Sequence, residues 1–184
     1  MKLITSIFVI AFIIVAQCNS ILYAQNNLKI LFIRHGEKPK DGDNLSCKGL
    51  NRAMLLPKVL HEKIGVPDYT YVPVLEMKKG TKHARMLQTI VPFAVKYNLK
   101  INSQFANKDT LEIAHDIKQK QGTILVVWEH HALSGIVHAL GINEPGIIWD
   151  DNDYDSIWIV EYKNGIPYLV KDKEGLDPKD DCAF

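Results

Sequence analysis

The chain has 184 residues, with 22 Lys and Arg against 21 Asp and Glu. A balance this close to zero creates no global field to gather nucleic acid or an anionic membrane, so any anion binding has to be local. The 3 cysteines are too few and too far apart for a zinc site.

The first segment reads as a secretory signal. Lys2 precedes an apolar run from Leu3 to Ala16, and small residues then lead to a cut after Ala24. The run is shorter than the roughly 20 residues of a spanning helix, which makes a retained anchor the weaker alternative. Lipid attachment at Cys18 is disfavoured because Gln17 stands where a small residue belongs. Export to a periplasm or to the outside is therefore expected, with no membrane association once the signal is removed. Residues 25–184 then form one domain of 160 residues, long enough for a single core without disulfides. Lys2 is the one charged residue removed, so the mature chain is neutral. Cys47 and Cys182 remain, and pairing in an oxidising compartment stands level with two unpaired thiols.

No internal repeat follows the signal. Strand and helix patterns alternate, which predicts an α/β fold: a three-layer sandwich with a mostly parallel central sheet flanked by helices. Leu28 to Ile33 is an apolar run that stops at Arg34-His35-Gly36-Glu37, and the polar stretch to Asn44 is a loop. Ser46 caps a helix over Cys47 to Lys63, with Leu50, Met54, Leu60 and Ile64 near one face. Pro57 should kink or restart it. Tyr69 to Leu75 is β-rich, although Pro73 demotes it towards an edge. A second helix opens at Gly80-Thr81, with Thr81 as cap, and runs to Tyr97 through Pro92. Lys100 to Phe105 reads as a strand. Asp109 caps a third helix to Gln121, with Leu111, Ala114 and Ile117 on one side. Ile124 to Trp128 is the second strong core strand, followed by Glu129-His130-His131 and a short helix from Ala132 to Leu140. Ser156 to Tyr162 and Tyr168 to Val170 form a hairpin around Asn164-Gly165. The charged tail from Lys171 is expected to be loose.

The two strongest strands each end in a histidine. If they are parallel neighbours, both imidazoles reach the carboxyl edge of the sheet, where open α/β sheets bind ligands. Covalent phosphoryl transfer needs a nucleophile that is neutral at one ring nitrogen, cationic donors around the phosphate oxygens, and a proton for the leaving group. Arginine suits the second task because its planar fork matches phosphate oxygens and keeps its charge.

Four ordered segments resemble the histidine phosphatase superfamily, the phosphoglycerate mutase-like proteins. They are Arg34-His35-Gly36-Glu37, Leu45 to Ala53, Thr81 to Thr89, and Val126 to His130, and the likeness covers nearly the whole chain after the signal. The resemblance implies that His35 becomes a phosphohistidine and that Arg34, Arg85 and His130 line the phosphate pocket, with His130 also catalytic. Arg52 matches a position that is more often structural. It further implies a metal-independent phosphatase without cofactor, acting on a phosphorylated small molecule or phosphoprotein. A non-catalytic phosphate-binding module and a mutase are the alternatives. His131 follows the second histidine where Gly, Ser, Asn or Asp is common, so it is the other candidate for the pocket.

The leaving-group acid is open. Glu37 is read as orienting an arginine, and Glu129, one residue before His130 on a strand, should face the opposite way. His61, His83, His115 and His138 are read as surface or satisfied histidines. No His-x-x-x-His or Cys-His spacing supports a metal. Asp151, Asp153 and Asp155 alternate like the start of a calcium loop, but Ser156 replaces its glycine and a strand follows, so a solvated acidic loop near the site mouth is expected. Ser134-Gly135 lacks the serine-hydrolase elbow.

Overall fold

The computed structural model describes residues 27–76, 81 and 83–183. The signal-like segment lies outside these. Among the described residues, no helix is long and apolar enough to cross a membrane.

The elements are β1 (Leu28–Arg34), α1 (Cys47–Ile64), β2 (Tyr69–Tyr71), α2 (Ala84–Tyr97), β3 (Ile101–Asn102), α3 (Thr110–Lys118), β4 (Gly122–Trp128), α4 (His130–Ala139), β5 (Ser156–Lys163) and β6 (Ile166–Lys173). The strands form one sheet in the order β3-β2-β4-β1-β5-β6. The β1–β4, β2–β4 and β2–β3 pairs are parallel, and β5 and β6 are added antiparallel. The sheet is therefore mostly parallel, as expected.

Alternation along β1 and β4 builds the layers, because successive side chains leave opposite faces. Ile30, Phe32, Ile124, Val126 and Trp128 pack with Ile113 and Ile117 of α3 and Leu133 and Val137 of α4. Leu31, Ile33, Leu125 and Val127 pack on the other face with Leu56 and Leu60 of α1 and Ile90 and Phe93 of α2. Both faces of the central strands are covered, which is why they read as continuous apolar runs.

Several expectations need correcting. Helix α1 does not restart at Pro57 but runs through it as one element, and its buried face is Gly49, Arg52, Ala53, Leu56, Pro57 and Leu60. Met54 is exposed. In α3, Leu111 is exposed while Ile113, Ala114 and Ile117 are buried. Both misplacements come from reading an apolar stripe without the partner layer. The strands near Pro73 and Lys100 shrink to the short β2 and β3, since only a few residues there meet a neighbour. Thr81 is not the cap of α2. That position is His83, at φ 66° and without a side-chain cap, and Ala84 N donates to the Thr81 carbonyl at 2.9 Å. Asp109 stands at the N-cap of α3, but its Oδ2 accepts from Ala106 N at 2.8 Å. Helix α4 starts at His130 rather than Ala132.

The tail is not loose. Strand β6 extends to Lys173, and Cys182 forms a disulfide with Cys47 across 135 residues, with Cα atoms 5.0 Å apart. Asn51 Nδ2 donates to the carbonyls of Lys179 and Asp181 at 2.9 and 2.8 Å. Buried Glu174 contacts the Arg52 guanidinium. A high charge content suggested solvation, but these charges are paired or face outward from an anchored segment.

Candidate phosphoryl-transfer site

Parallel register sets the site. Arg34 lies opposite Trp128, and His35 N continues the ladder by donating to the Trp128 carbonyl at 3.2 Å. Both strands then leave the sheet together, so His35 and His130 emerge at one carboxyl edge.

His35 is 3% exposed. Its Nδ1 lies 2.7 Å from the Gly36 carbonyl. A carbonyl only accepts, so Nδ1 carries the proton and a neutral ring leaves Nε2 bare. Burial, reinforced by the charges of Arg34 and Arg85, lowers the His35 pKa to about 4 against the pull of the Gly36 carbonyl and Glu129. At neutral pH the ring is thus uncharged, with a fixed tautomer and a bare Nε2.

The loop carrying His35 is clamped from two helices. Gly36 N donates to Thr89 Oγ1 at 2.9 Å, and Thr89 Oγ1 donates to the Arg85 carbonyl at 2.7 Å. A Cβ on Gly36 would stand 2.8 Å from the Gly49 carbonyl oxygen, and one on Gly49 would strike the Glu37 carbonyl. Ser46 N donates to that Glu37 carbonyl at 2.9 Å, while Ser46 Oγ accepts from Gly49 N at 3.1 Å to cap α1. Glu37 pairs bidentately with Arg52 at 2.9 and 3.0 Å, so it orients an arginine as expected. Arg52 also meets Glu174, whose carboxyl burial pushes up to about 8 despite Arg52.

Arg34 is 2% exposed, and its fork is largely committed to protein. Nη1 donates to the carbonyls of Asp150, Asp151 and Asp153 at 3.3, 2.6 and 3.2 Å, and Nη2 to the Tyr154 hydroxyl at 3.3 Å. The guanidinium stacks 3.9 Å over the Tyr154 ring. Its buried Nε is the donor left without a partner among the described residues. Arg85 donates to the Asn44 carbonyl at 3.1 Å and also to the Gly42 carbonyl. Both arginines sit close enough to His35 to act on it electrostatically, but each also staples a loop.

His130 is 6% exposed and His131 is exposed, which favours His130 as the pocket histidine. Its Nε2 lies 2.8 Å from Asp151 Oδ1, and its Nδ1 lies 2.8 Å from Glu129 Oε1. The second contact is not aligned as a hydrogen bond, leaving Nδ1 buried and unsatisfied. Burial and the nearby Arg34 charge lower the His130 pKa, while Asp151 and Glu129 oppose them. The hydrogen bond from His130 holds Asp151 below the usual carboxylate range.

Glu129 does not face away from His130. The strand ends at Trp128, and Glu129 is already the residue before a helix at φ −84° and ψ 132°, so strand alternation no longer applies. Its carboxylate acts on His35, Arg34 and His130 alike. Nor does metal-ligand spacing foresee that the donor atoms of Glu129, His130 and His131 come within 4.8 Å of one another. Tyr154 and the 150–153 carbonyls were not legible as site parts. Tyr154 lies beside His35, with ring centroids 6.1 Å apart. An open cleft of about 660 Å³ adjoins this edge, bordered by Tyr154, Asp180 and the lysines 38, 40 and 48.

The three-layer α/β sandwich is a phosphoglycerate mutase-like fold. Solved structures share it at low identity. A phosphoserine phosphatase mutant from Entamoeba histolytica in complex with phosphoserine matches with a TM-score of 0.56 and 13% identity, over 80% of this chain and 97% of that one. The protein histidine phosphatase SixA complexed with tungstate gives 0.55 and 15%, over 79% and 97%. Phosphoglycerate mutase from Bacillus anthracis gives 0.50 and 13%, over 80% and 94%. No protein-family model matches the chain, and no curated protein matches it in sequence.

Proposed function

We propose that this chain is an exported, metal-independent phosphatase that hydrolyses phosphate monoesters or phosphohistidine through a phosphohistidine on His35. The observation that carries the reading is the buried, neutral His35 with its proton on Nδ1 and Nε2 bare. Nε2 attacks phosphorus, the bond to the leaving oxygen breaks, and water later takes the phosphoryl group from nitrogen. Arg34, Arg85 and His130 hold the phosphate oxygens, with Arg34 Nε the donor best kept in reserve. Asp151 is a poor leaving-group acid, because the hydrogen bond from His130 holds it below the usual carboxylate range.

Export and a single domain over 25–184 rest on the apolar leader, and the Cys47–Cys182 pair fits an oxidising compartment. Substrate is a phosphorylated small molecule or phosphoprotein, with no call on nucleic acid. The lysine-bordered cleft beside Tyr154 suits a substrate bearing a second anionic group. A non-catalytic phosphate-binding module is the second reading, favoured by Asp151 being held below the usual carboxylate range, where it does not donate a leaving-group proton.

Turnover of p-nitrophenyl phosphate by residues 25–184 separates the two readings. Release of p-nitrophenol is expected, undiminished by chelator. The His35 limb of the kcat/KM profile should fall only as pH drops through about 4, rather than near the 6.5 of an ordinary histidine. Phosphate binding without turnover on a broad phosphoester panel supports the binding module. Loss on chelation contradicts the metal-independent chemistry.

A further inference from the structure

The side chains beside His130 do more than phosphoryl transfer asks of them. His131 has no part in that chemistry, yet its ring stacks on His130 with centroids 3.9 Å apart. Its Nε2 lies 4.0 Å from both Glu129 Oε1 and Asp151 Oδ1. We propose that Glu129, His130 and His131 form a binding site for a divalent transition-metal ion of the zinc class, with Asp151 orienting His130 from its Nε2 side, and that occupancy switches the phosphatase site off. The inhibitory half rests on the phosphatase reading. The binding half does not.

Two imidazoles and one carboxylate make a nitrogen and oxygen donor set that suits zinc or its neighbours better than calcium or magnesium, and Asp151 on Nε2 of His130 is the outer carboxylate that orients a ligating imidazole. A tetrahedral ion with bonds of about 2.0–2.1 Å holds its donors roughly 3.3 Å apart. The separations of 2.8 Å between His130 Nδ1 and Glu129 Oε1 and 4.0 Å between His131 Nε2 and Glu129 Oε1 fall on either side of that value, so small side-chain adjustments suffice.

The decisive observation is at His130. Asp151 accepts at Nε2, which places a proton there and leaves the Nδ1 lone pair facing Glu129 Oε1 when the ring is neutral. Two acceptors then stand 2.8 Å apart with no aligned donor between them, and Nδ1 is buried without a hydrogen-bond partner. A bound cation satisfies both at once. Arg34 is the competing positive charge, but its Nη atoms are taken by the Asp150, Asp151 and Asp153 carbonyls and Tyr154. The exposed face of His131 and Asp151 leaves the cluster open to an ion from solvent.

Coordination fixes the His130 imidazole to the ion, so it can no longer turn to the phosphate oxygens that the phosphatase reading gives it. Zinc should therefore inhibit, and a chelator should raise the activity of protein purified with zinc present.

The test titrates chelator-stripped residues 25–184 with zinc alone, by calorimetry or against a chromophoric competitor, and measures p-nitrophenyl phosphate turnover in parallel. One equivalent of zinc is expected to bind and suppress turnover. His131→Ala should weaken zinc binding by about tenfold or more, relieve the inhibition and leave zinc-free turnover unchanged. No binding to the parent chain, or binding that His131→Ala leaves unaltered, overturns the site. Binding weakened by His131→Ala without any effect on turnover overturns the inhibitory role. If the chain hydrolyses no phosphoester, the phosphatase reading fails, and the titration still decides the metal site.

Discussion

Replacing His35 with alanine should lower phosphoester turnover by roughly 10³-fold or more, because a lost nucleophile has no substitute within the site. Among the described residues the side chain makes one hydrogen bond, to its neighbour's carbonyl, and the loop around it is held by Thr89, Ser46 and the close approach of Gly36 to Gly49. The variant should therefore fold and still bind inorganic phosphate through Arg34, Arg85 and His130. Loss of His130 should cost less, roughly 10²- to 10³-fold, as for one oxyanion donor. Stopped or steady-state assays with phosphate binding measured alongside give both numbers. Turnover retained in His35→Ala would sink the mechanism.

Cys182→Ser should be the most destabilising change outside the core. The Cys47–Cys182 bond closes a loop of 135 residues. Chain-entropy reasoning for a loop of that size gives about 5 kcal/mol as a ceiling, and measured losses more often fall at about 2–4 kcal/mol. The lower range is expected here, since Asn51, Arg52 and β6 continue to hold the tail when the bond is absent. Urea unfolding with and without reductant reads the effect. Reductant should bring the parent chain down to the variant and leave the variant unmoved. Equal stability of the two proteins under oxidising conditions would contradict a closed disulfide.

The acid side of stability follows from His35 as well. Its pKa falls from the ordinary 6.5 when unfolded to about 4 when folded. The unfolded chain therefore binds the extra proton between those values, so this contribution is complete above 6.5 and is lost as pH falls towards 4, by about 3 kcal/mol.

The sheet and its two histidines were legible because β1 and β4 are buried on both faces and stop at charge. A continuous apolar run ending in Arg34-His35 or Glu129-His130 says where a strand leaves its sheet, and parallel pairing then brings the ends together. The Ser46 cap was legible for the same reason that it works, a hydroxyl just before a helical pattern. What escaped was what depends on long-range closure. Tyr154 and the carbonyls of Asp150, Asp151 and Asp153 meet Arg34 some 120 residues away, and backbone carbonyls leave no mark in a sequence. Glu129 was misjudged because strand alternation was carried one residue past the strand's end. Met54 and Leu111 show the converse error, where an apolar residue fell on a helix face that no layer covers.

The most direct measurement is a rapid quench of residues 25–184 with a reactive phosphoester, followed by mapping of the phosphorylated peptide. One acid-labile, base-stable phosphoryl group on Nε2 of His35 is the expected result, absent from His35→Ala and cleared when substrate runs out. Turnover with no covalent phosphate on any peptide, or with the label on another residue, would contradict a phosphohistidine mechanism at His35.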